Sequence, residues 1–98
     1  MTNYKYKVIY SNKFKKDLKK MLKQGKDIKK LKNIVDVLAN KKKLEPKFKN
    51  HKLNNSKEYK NCYECHIEPN WLLIYQYDHH ELILLLVNTG SHSELLNM

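Results

Sequence analysis

Three segments with the residue pattern of β-strands fill the second half of the chain, and only short turns separate them. They cover residues 59–67, 71–78 and 81–88, with Pro69-Asn70 and Asp78-His79-His80 at the turns. A connection this short joins two strands as an antiparallel hairpin, because a parallel pair needs a crossover of about a dozen residues or more. The second half of the chain is therefore predicted to be an antiparallel meander.

The first half begins with one strand and continues with two amphipathic helices. Residues 4–10 alternate aromatic or apolar with polar side chains, which is the period of a strand. Ser11 or Asn12 suits the N-cap of a first helix, Gly25 ends that helix, and Asp27 can cap a second one. The two apolar stripes consist of Phe14, Leu18, Met21 and Leu22, and of Ile28, Leu31, Ile34, Val35 and Leu38. The short link between them predicts an antiparallel helix hairpin.

Together these elements predict one α+β domain that covers residues 1–98 and has the order β-α-α-β-β-β. The helix hairpin is expected to pack on an antiparallel sheet. Residues 41–57 have scattered apolar side chains and are predicted to form a loop, and residues 91–96 are predicted to form a short helical turn after Gly90.

Lysine and histidine are distributed unevenly along the 98 residues. Residues 1–50 hold 17 of the 20 lysines against four acidic residues, whereas residues 51–98 hold three lysines, six acidic residues and all five histidines. This division predicts that the first half attracts a polyanion and that the second half contains the residues that carry out a reaction on it. The alternative is that the lysines only solvate helix faces.

Membrane insertion and export are not expected from this sequence. The longest apolar run, residues 82–87, is far shorter than the ~20 residues of a membrane span. The polar residues 1–7 do not resemble the start of a signal peptide. We therefore expect a cytoplasmic protein with no membrane partner.

Cys62-Tyr63-Glu64-Cys65-His66 matches the C-x-x-C-H pattern of c-type haem attachment. The same residues could form a disulfide, contribute to a zinc site with a histidine, or be two unrelated cysteines. In a strand, residues i and i+3 point to opposite faces and lie ~10 Å apart, which is too far for a disulfide. We therefore expect unrelated cysteines, no bound metal and no cofactor.

Strand parity places His66 and Glu64 on the face opposite to Tyr63, Cys65 and Ile67. The second set is mostly apolar, so we expect it to face the helices. His66 is then expected on an open face of the sheet, where it can meet a ligand.

Two further histidines can join His66 at one end of the sheet, because His51 precedes the meander and His92 follows it. RNA carries its own nucleophile, the 2′-hydroxyl group next to each phosphate. Histidine titrates near neutral pH and can act as the base or the acid of such a reaction. An aromatic side chain such as that of Trp71 could stack on an exposed base. The pattern predicts RNA cleavage that needs no metal ion.

Four stretches of the chain carry motifs of one known family. They are Tyr63-x-x-His66-Ile67-x-Pro69-Asn70-Trp71-Leu72-Leu73-Ile74-Tyr75, Leu82-Ile83-Leu84-Leu85, Thr89-Gly90-Ser91-His92-Ser93-Glu94-Leu95 and Leu44-Glu45-Pro46-Lys47-Phe48-x-x-His51-Lys52-Leu53. They resemble the YafQ branch of the RelE/ParE toxin superfamily over nearly the whole chain. The resemblance implies a RelE/ParE-like fold and a toxin of a type II toxin–antitoxin pair, which cleaves mRNA at the ribosome and is silenced by a cognate antitoxin.

The resemblance also implies roles for individual residues. His51, His66 and His92 match family histidines used for catalysis or substrate contact, and we expect His66 and His92 to transfer protons. Trp71 matches a hydrophobic residue beside the active centre. The expected substrate contacts are Asn70, Trp71, Asn88, Lys49 and Lys52.

Three positions depart from the family pattern. Asn88 stands where an arginine aimed at the scissile phosphate is common, Asn70 where aspartate is frequent, and Leu96 where an aromatic side chain closes the site. Loss of one donor directed at transition-state charge costs on the order of 10²–10³ in rate, and Lys49 or Lys52 could replace it. The alternative function is therefore a toxin of this fold without nuclease activity, either a gyrase inhibitor or a nonenzymatic nucleic-acid binder.

The expected partners are a cognate antitoxin, the ribosome and its mRNA. We expect the antitoxin to cover the basic surface with an acidic or amphipathic segment. The free chain is expected to be a monomer or a weak oligomer.

Overall fold

The computed structural model describes residues 4–54 and 57–96, which contain a five-stranded sheet with the spatial order β1-β5-β4-β3-β2. The elements in chain order are β1 (Lys7–Tyr10), α1 (Asn12–Lys23), α2 (Ile28–Ala39), β2 (His51–Lys52), β3 (Tyr63–Glu68), β4 (Trp71–Asp78), β5 (Ile83–Gly90) and α3 (His92–Leu96). The predicted α+β class is confirmed, as are the two helices and the helical turn at the end.

The helix boundaries follow from local side-chain chemistry. Ser11 Oγ accepts a hydrogen bond from the Phe14 N–H at 2.9 Å, which identifies Ser11 as the N-cap of α1. The Asp27 carboxylate accepts from the Lys29 N–H at 2.9 Å and caps α2 in the same way. Between the helices, Gly25 has a φ of +84°, a conformation that favours glycine after a helix end. The predicted caps are confirmed.

The sheet is mixed, so the prediction of a fully antiparallel sheet is wrong at one edge. The meander β3–β4–β5 is antiparallel as expected, but β1 lies beside β5 and runs parallel to it, with Lys7 opposite Ile83. After β1, the helices α1 and α2 connect to the far edge of the sheet, where β2 and β3 lie. The meander then runs back across the sheet, and its last strand, β5, lies beside β1 and is parallel to it. The strand also begins at Lys7, not at residue 4.

The predicted loop at residues 41–57 contains regular structure. Pro46–Phe48 forms one turn of 3₁₀ helix, and His51–Lys52 forms the edge strand β2, in which His51 lies opposite Glu64 of β3. A strand of two residues has too short a pattern to be detected by periodicity.

Both faces of the sheet carry a buried cluster, so the face expected to be open is partly covered, although His66, with a side chain 13% exposed, still lines a groove. The helix side includes Phe14, Met21, Leu31, Ile34, Leu38, Cys65, Leu73 and Leu84. On the other side Tyr59, Cys62, Leu72, Ile74 and Leu95 form a second cluster, because α3 folds back over the strands. The two cysteines are free thiols in different clusters. No helix within the described ranges is long and apolar enough to cross a membrane.

Candidate functional site

Three predicted histidines lie around one buried carboxylate. The rings of His66 and His92 have centroids 5.1 Å apart and planes inclined by 66°. The Nε2 atoms of His66 and His51 lie 3.1 Å and 3.8 Å from the same Oε1 atom of Glu64. The tertiary structure thus brings together residues that are up to 41 positions apart in the sequence.

Sheet register explains this convergence. Glu64 and His66 are two residues apart on β3 and therefore share a face. His66 lies opposite Leu72 of β4, and Leu72 lies opposite Gly90 of β5. His92 follows Gly90 by two residues, so the end of β5 places His92 close to His66 at the same end of the sheet.

A capping box holds the start of α3, where His92 is the first helical residue. Ser91 Oγ accepts from the Glu94 N–H at 3.3 Å, and Glu94 Oε1 accepts from the Ser91 N–H at 3.0 Å. The other carboxylate oxygen of Glu94 pairs with Lys20 of α1. The hydrogen bonds from Lys20 and Ser91 lower the pKa of the Glu94 carboxyl to about 2. These contacts attach α3, and with it His92, to α1.

Each histidine has one ring nitrogen engaged by a neighbouring group. Asn70 Oδ1 accepts from His92 Nδ1 at 3.1 Å, and the backbone carbonyl of Lys49 accepts from His51 Nδ1 at 2.8 Å. His66 uses the opposite atom, because its Nε2 donates to Glu64. The second ring nitrogen is Nε2 in His92 and Nδ1 in His66, whereas in His51 it is Nε2, which faces Glu64 at 3.8 Å.

Glu64 is a candidate functional residue that the sequence analysis did not include among the site residues. Its side chain is 4% exposed, and its Oε2 has no hydrogen-bond partner among the described residues. An unpartnered buried carboxylate oxygen is uncommon in folded proteins. The available signal was its two-residue spacing from His66 on a strand, which puts both side chains on one face.

The same residues could also hold a metal ion. One ligand atom each from Glu64, His66 and His92 lies within 4.8 Å of the other two. Two imidazoles and one carboxylate are a donor set that suits Zn²⁺ or Cu²⁺. The unpartnered Oε2 of Glu64 fits such an ion, which would satisfy the buried oxygen.

Trp71 and Asn88 are not placed as expected for substrate contacts. Trp71 is completely buried, and its Nε1–H donates to Thr89 Oγ1 at 2.8 Å, so no face of the indole is available to a base. Asn88 is 4% exposed, and its amide donates to the Asp17 carboxylate at 3.0 Å. The structure corrects the expectation for both residues, because β4 and β5 are central strands whose side chains are covered on either face.

Asn70, Lys49 and Lys52 are all exposed near the histidines. Asn70 contacts His92, and Lys49 contacts His51 through its backbone carbonyl. Lys52 is next to His51 on β2. Because successive side chains of a strand point to opposite faces, the Lys52 side chain lies on the face opposite to His51 and Glu64. The side chain of Leu96 lies outside the described part of the chain.

Comparison with known proteins identifies the family. Residues 6–97 match the family model described as "Bacterial toxin of type II toxin-antitoxin system, YafQ". The mRNA interferase toxin YafQ of Escherichia coli strain B / BL21-DE3 is 37% identical over 87 residues, which cover 88% of this chain and 90% of the relative. The YafQ of strain K12 is 36% identical with the same coverage.

Solved structures agree with this assignment. A metal-bound toxin from Helicobacter pylori superposes with a TM-score of 0.87 at 44% identity and covers 93% of this chain and 99% of its own. The YafQ chain of the E. coli DinJ-YafQ toxin-antitoxin complex superposes with a TM-score of 0.82 at 33% identity, covering 94% and 98%. The resemblance inferred from the motifs is confirmed, and this chain belongs to the YafQ family of type II toxin–antitoxin toxins.

Proposed function

We propose that this chain is a ribosome-dependent mRNA endonuclease that cleaves by attack of the 2′-hydroxyl group, without a metal ion. The observation that supports this most directly is the pair of histidine rings with centroids 5.1 Å apart, His66 and His92. The relatives are named mRNA interferase toxins. A reaction of this kind needs one base and one acid near the same phosphate.

His92 is assigned as the base and His66 as the acid. Asn70 holds the His92 Nδ1–H, so Nε2 has the free lone pair that takes the 2′-hydroxyl proton. The 2′-oxygen bonds to phosphorus as the bond between phosphorus and the 5′-oxygen breaks. Protonated His66 then donates its proton to the leaving 5′-oxygen from Nδ1, because Glu64 holds Nε2. The products are a 2′,3′-cyclic phosphate and a free 5′-hydroxyl group.

His51, Lys49 and Lys52 are assigned to the phosphate. All three are exposed, and Lys49 lies two residues before β2, the strand that His51 and Lys52 form. Their positive charge, with His51 protonated, would offset the negative charge that develops on the phosphate. Asn88 cannot supply that charge, since its amide is neutral and engaged by Asp17. The lysines of α1 and α2 attract ribosomal RNA over a longer range.

The test is mRNA cleavage on translating ribosomes with the 5′ ends mapped, in EDTA. The His92→Ala variant should lose about 10²–10⁴-fold in rate. The control is His80→Ala, which changes an exposed histidine in the turn between β4 and β5.

Three results are informative. Discrete cuts that disappear only in His92→Ala support the proposal. Cuts that survive in His92→Ala would show that the histidine mechanism is wrong. If the unmodified chain makes no cuts, gyrase inhibition and RNA binding become the functions to measure.

We also propose that a cognate antitoxin silences this chain, as a complex with DinJ is known for the E. coli relative. A groove of about 530 Å³ between α1 and α2 exposes Tyr10, Leu22 and Ile28, and its rim includes Lys15, Lys19 and Lys32. Apolar side chains within a lysine rim suit an acidic amphipathic segment. Without the antitoxin the chain is a monomer or weak oligomer, and a stable homodimer in size-exclusion chromatography with light scattering would contradict this.

A metal ion is a second candidate ligand for the histidine site. The H. pylori relative is described as a metal-bound toxin, and Glu64, His66 and His92 fit such an ion here. A bound Zn²⁺ or Cu²⁺ would supply Lewis acidity but occupy imidazole lone pairs that proton transfer requires. We therefore assign the metal an inhibitory role.

A further inference from the structure

A groove of about 810 Å³ extends away from His66 and His92 between α2 and the 3₁₀ turn Pro46–Phe48. Its volume is within the range of about 300–1,000 Å³ that small-ligand pockets span. The apolar side chains that line it are Ile34, Val37, Leu44, Ile67 and Phe48. The groove is therefore continuous with the histidine site but adds apolar side chains that the histidine site does not have.

The 3₁₀ turn forms one side of the groove and also positions a histidine. Phe48 packs against the main core but stays partly exposed, and the Lys47 ammonium group lies 5.1 Å from the centre of its ring. Lys49 follows with a φ of +48°, and its carbonyl accepts the hydrogen bond from His51. The groove and the contact that holds His51 thus come from one continuous segment, residues 46–51.

Acidic groups at the groove are paired with lysines. Glu68 contacts Lys26 and Lys30 at 2.8 Å each, and these hydrogen bonds lower the pKa of its carboxyl group. Glu45 lies 3.8 Å from Lys47. These pairs reduce the repulsion that a nucleic-acid backbone would otherwise meet at the rim.

We propose that the groove binds the base of the mRNA nucleotide next to the scissile phosphate, stacked on Phe48, with Lys47 and Lys49 on the backbone. This inference rests on the proposed nuclease function. An aromatic ring flanked by lysines is the usual surface on which proteins bind single-stranded RNA. Because His66 and His92 also line the groove, a chain held there presents its next phosphate to them.

Asn33 gives the groove a means of distinguishing bases. It is exposed on α2 and lines the groove, and its amide has both a donor and an acceptor for a base edge. A base that stacks on Phe48 would meet this amide. The chain should therefore prefer certain nucleotides at one position beside the cut.

The first measurement compares mapped cuts made by the unmodified chain, Phe48→Leu and Asn33→Ala. Leucine keeps the packing of Phe48 and removes the stacking surface. The control is His80→Leu, because His80 is an exposed aromatic residue in the turn between β4 and β5 and lines neither groove. We expect both groove variants to lose nucleotide preference at one position beside the cut, and the control to keep it.

The second measurement is binding to a short single-stranded RNA with 2′-deoxyribose at the cut position, which cannot be cleaved. Phe48→Leu should bind it roughly 5- to 100-fold more weakly, the range of losses measured for one stacked base. If Phe48→Leu does not fold, as judged by circular dichroism, Asn33→Ala provides the test, since residue 33 is exposed.

Unchanged preference and unchanged RNA affinity in the groove variants would overturn the inference. The inference would also be wrong if the groove variants bound the antitoxin more weakly but bound RNA as tightly as the unmodified chain. The groove would then bind a protein segment. If the unmodified chain makes no cuts but RNA binding still depends on Phe48, the nuclease proposal fails while the groove remains an RNA-binding site.

Discussion

Asn70 Oδ1 accepts two hydrogen bonds from His92, one from the backbone N–H and one from ring Nδ1, each 3.1 Å long. Because a backbone N–H can only donate, the Asn70 atom is the carbonyl oxygen, and His92 Nδ1 carries the proton. One residue of the turn between β3 and β4 thereby contacts the first residue of α3 and orients the His92 ring.

Asn70 variants should change the cleavage rate through this orientation. Asn70→Ala removes both acceptor contacts, and we expect cleavage to slow by about 10- to 100-fold because a small displacement of a catalytic group is costly. Asn70→Asp should be at least as fast as the unmodified chain, since a carboxylate forms stronger hydrogen bonds to a charged imidazole. Single-turnover rates on ribosome-bound mRNA measure both effects. An Asn70→Ala chain as fast as the parent would show that the contact has no role.

Zn²⁺ should bind at Glu64, His66 and His92 and inhibit cleavage, with EDTA restoring the activity. Glu64→Gln removes a carboxylate ligand and should weaken Zn²⁺ binding by about 10-fold or more. Isothermal titration calorimetry measures the affinity, and His80→Ala is the control because His80 is exposed in the turn between β4 and β5 and belongs to neither the trio nor its neighbours. Equal affinity in Glu64→Gln and in the parent chain would place the metal elsewhere.

Asn88→Ala should destabilise the fold more than it slows cleavage. The variant leaves the Asp17 carboxylate, which is 16% exposed, without the Asn88 amide, although Thr89 N–H and Lys13 still contact it. Loss of a hydrogen bond to a charged group costs about 1.5–3 kcal/mol of unfolding free energy. Urea denaturation measures this change. If the cleavage rate falls as far as in His92→Ala and stability is unchanged, Asn88 contacts the substrate.

The contact between Lys20 and Glu94 should make stability depend on pH in the acid range. The pKa of the Glu94 carboxyl is lowered from 4.5 to about 2 in the folded chain, so the folded state binds fewer protons than the unfolded state between these values. The stabilisation is complete above pH 4.5 and is lost as the pH falls through 2.

Glu94→Gln should therefore melt at a lower temperature than the parent chain at pH 7, and the two melting temperatures should converge as the pH falls below 4.5. Glu81→Gln is a suitable control, because Glu81 is exposed in the turn between β4 and β5. Thermal unfolding followed by circular dichroism gives the melting temperatures. If the difference in melting temperature between Glu94→Gln and the parent chain stays constant from pH 7 to pH 2, the Glu94 carboxylate is not its source.

Local features of the fold could be predicted because each depends on neighbouring residues. Ser11 and Asp27 cap the two helices as expected, and β4 has the predicted bounds Trp71–Asp78. The alternation of side chains along a strand correctly placed His66 and Cys65 on opposite faces of the sheet. The parallel pairing of β1 with β5 was missed, since strand direction depends on where the helices carry the chain.

Part of the site could also be predicted, because the motifs that identify its histidines are local features of the sequence. Motifs identified His51, His66 and His92, and these residues do converge on one carboxylate. Motifs could not show that Trp71 is buried, because an aromatic residue at the start of a strand can face either the core or a ligand. That choice depends on the partners of the whole sheet.

The amino-acid sequence by itself determined the longer helices and strands, the helix caps, the charge division and the family, since periodicity, capping chemistry and motifs are properties of short stretches of chain. Tertiary structure alone decided that Trp71 is buried, that Asn88 contacts Asp17, and that a groove opens beside Phe48. These relationships depend on sheet register and on the packing of α1 and α2 against the sheet. Both place residues distant in sequence within a few ångströms of one another, which no local pattern encodes.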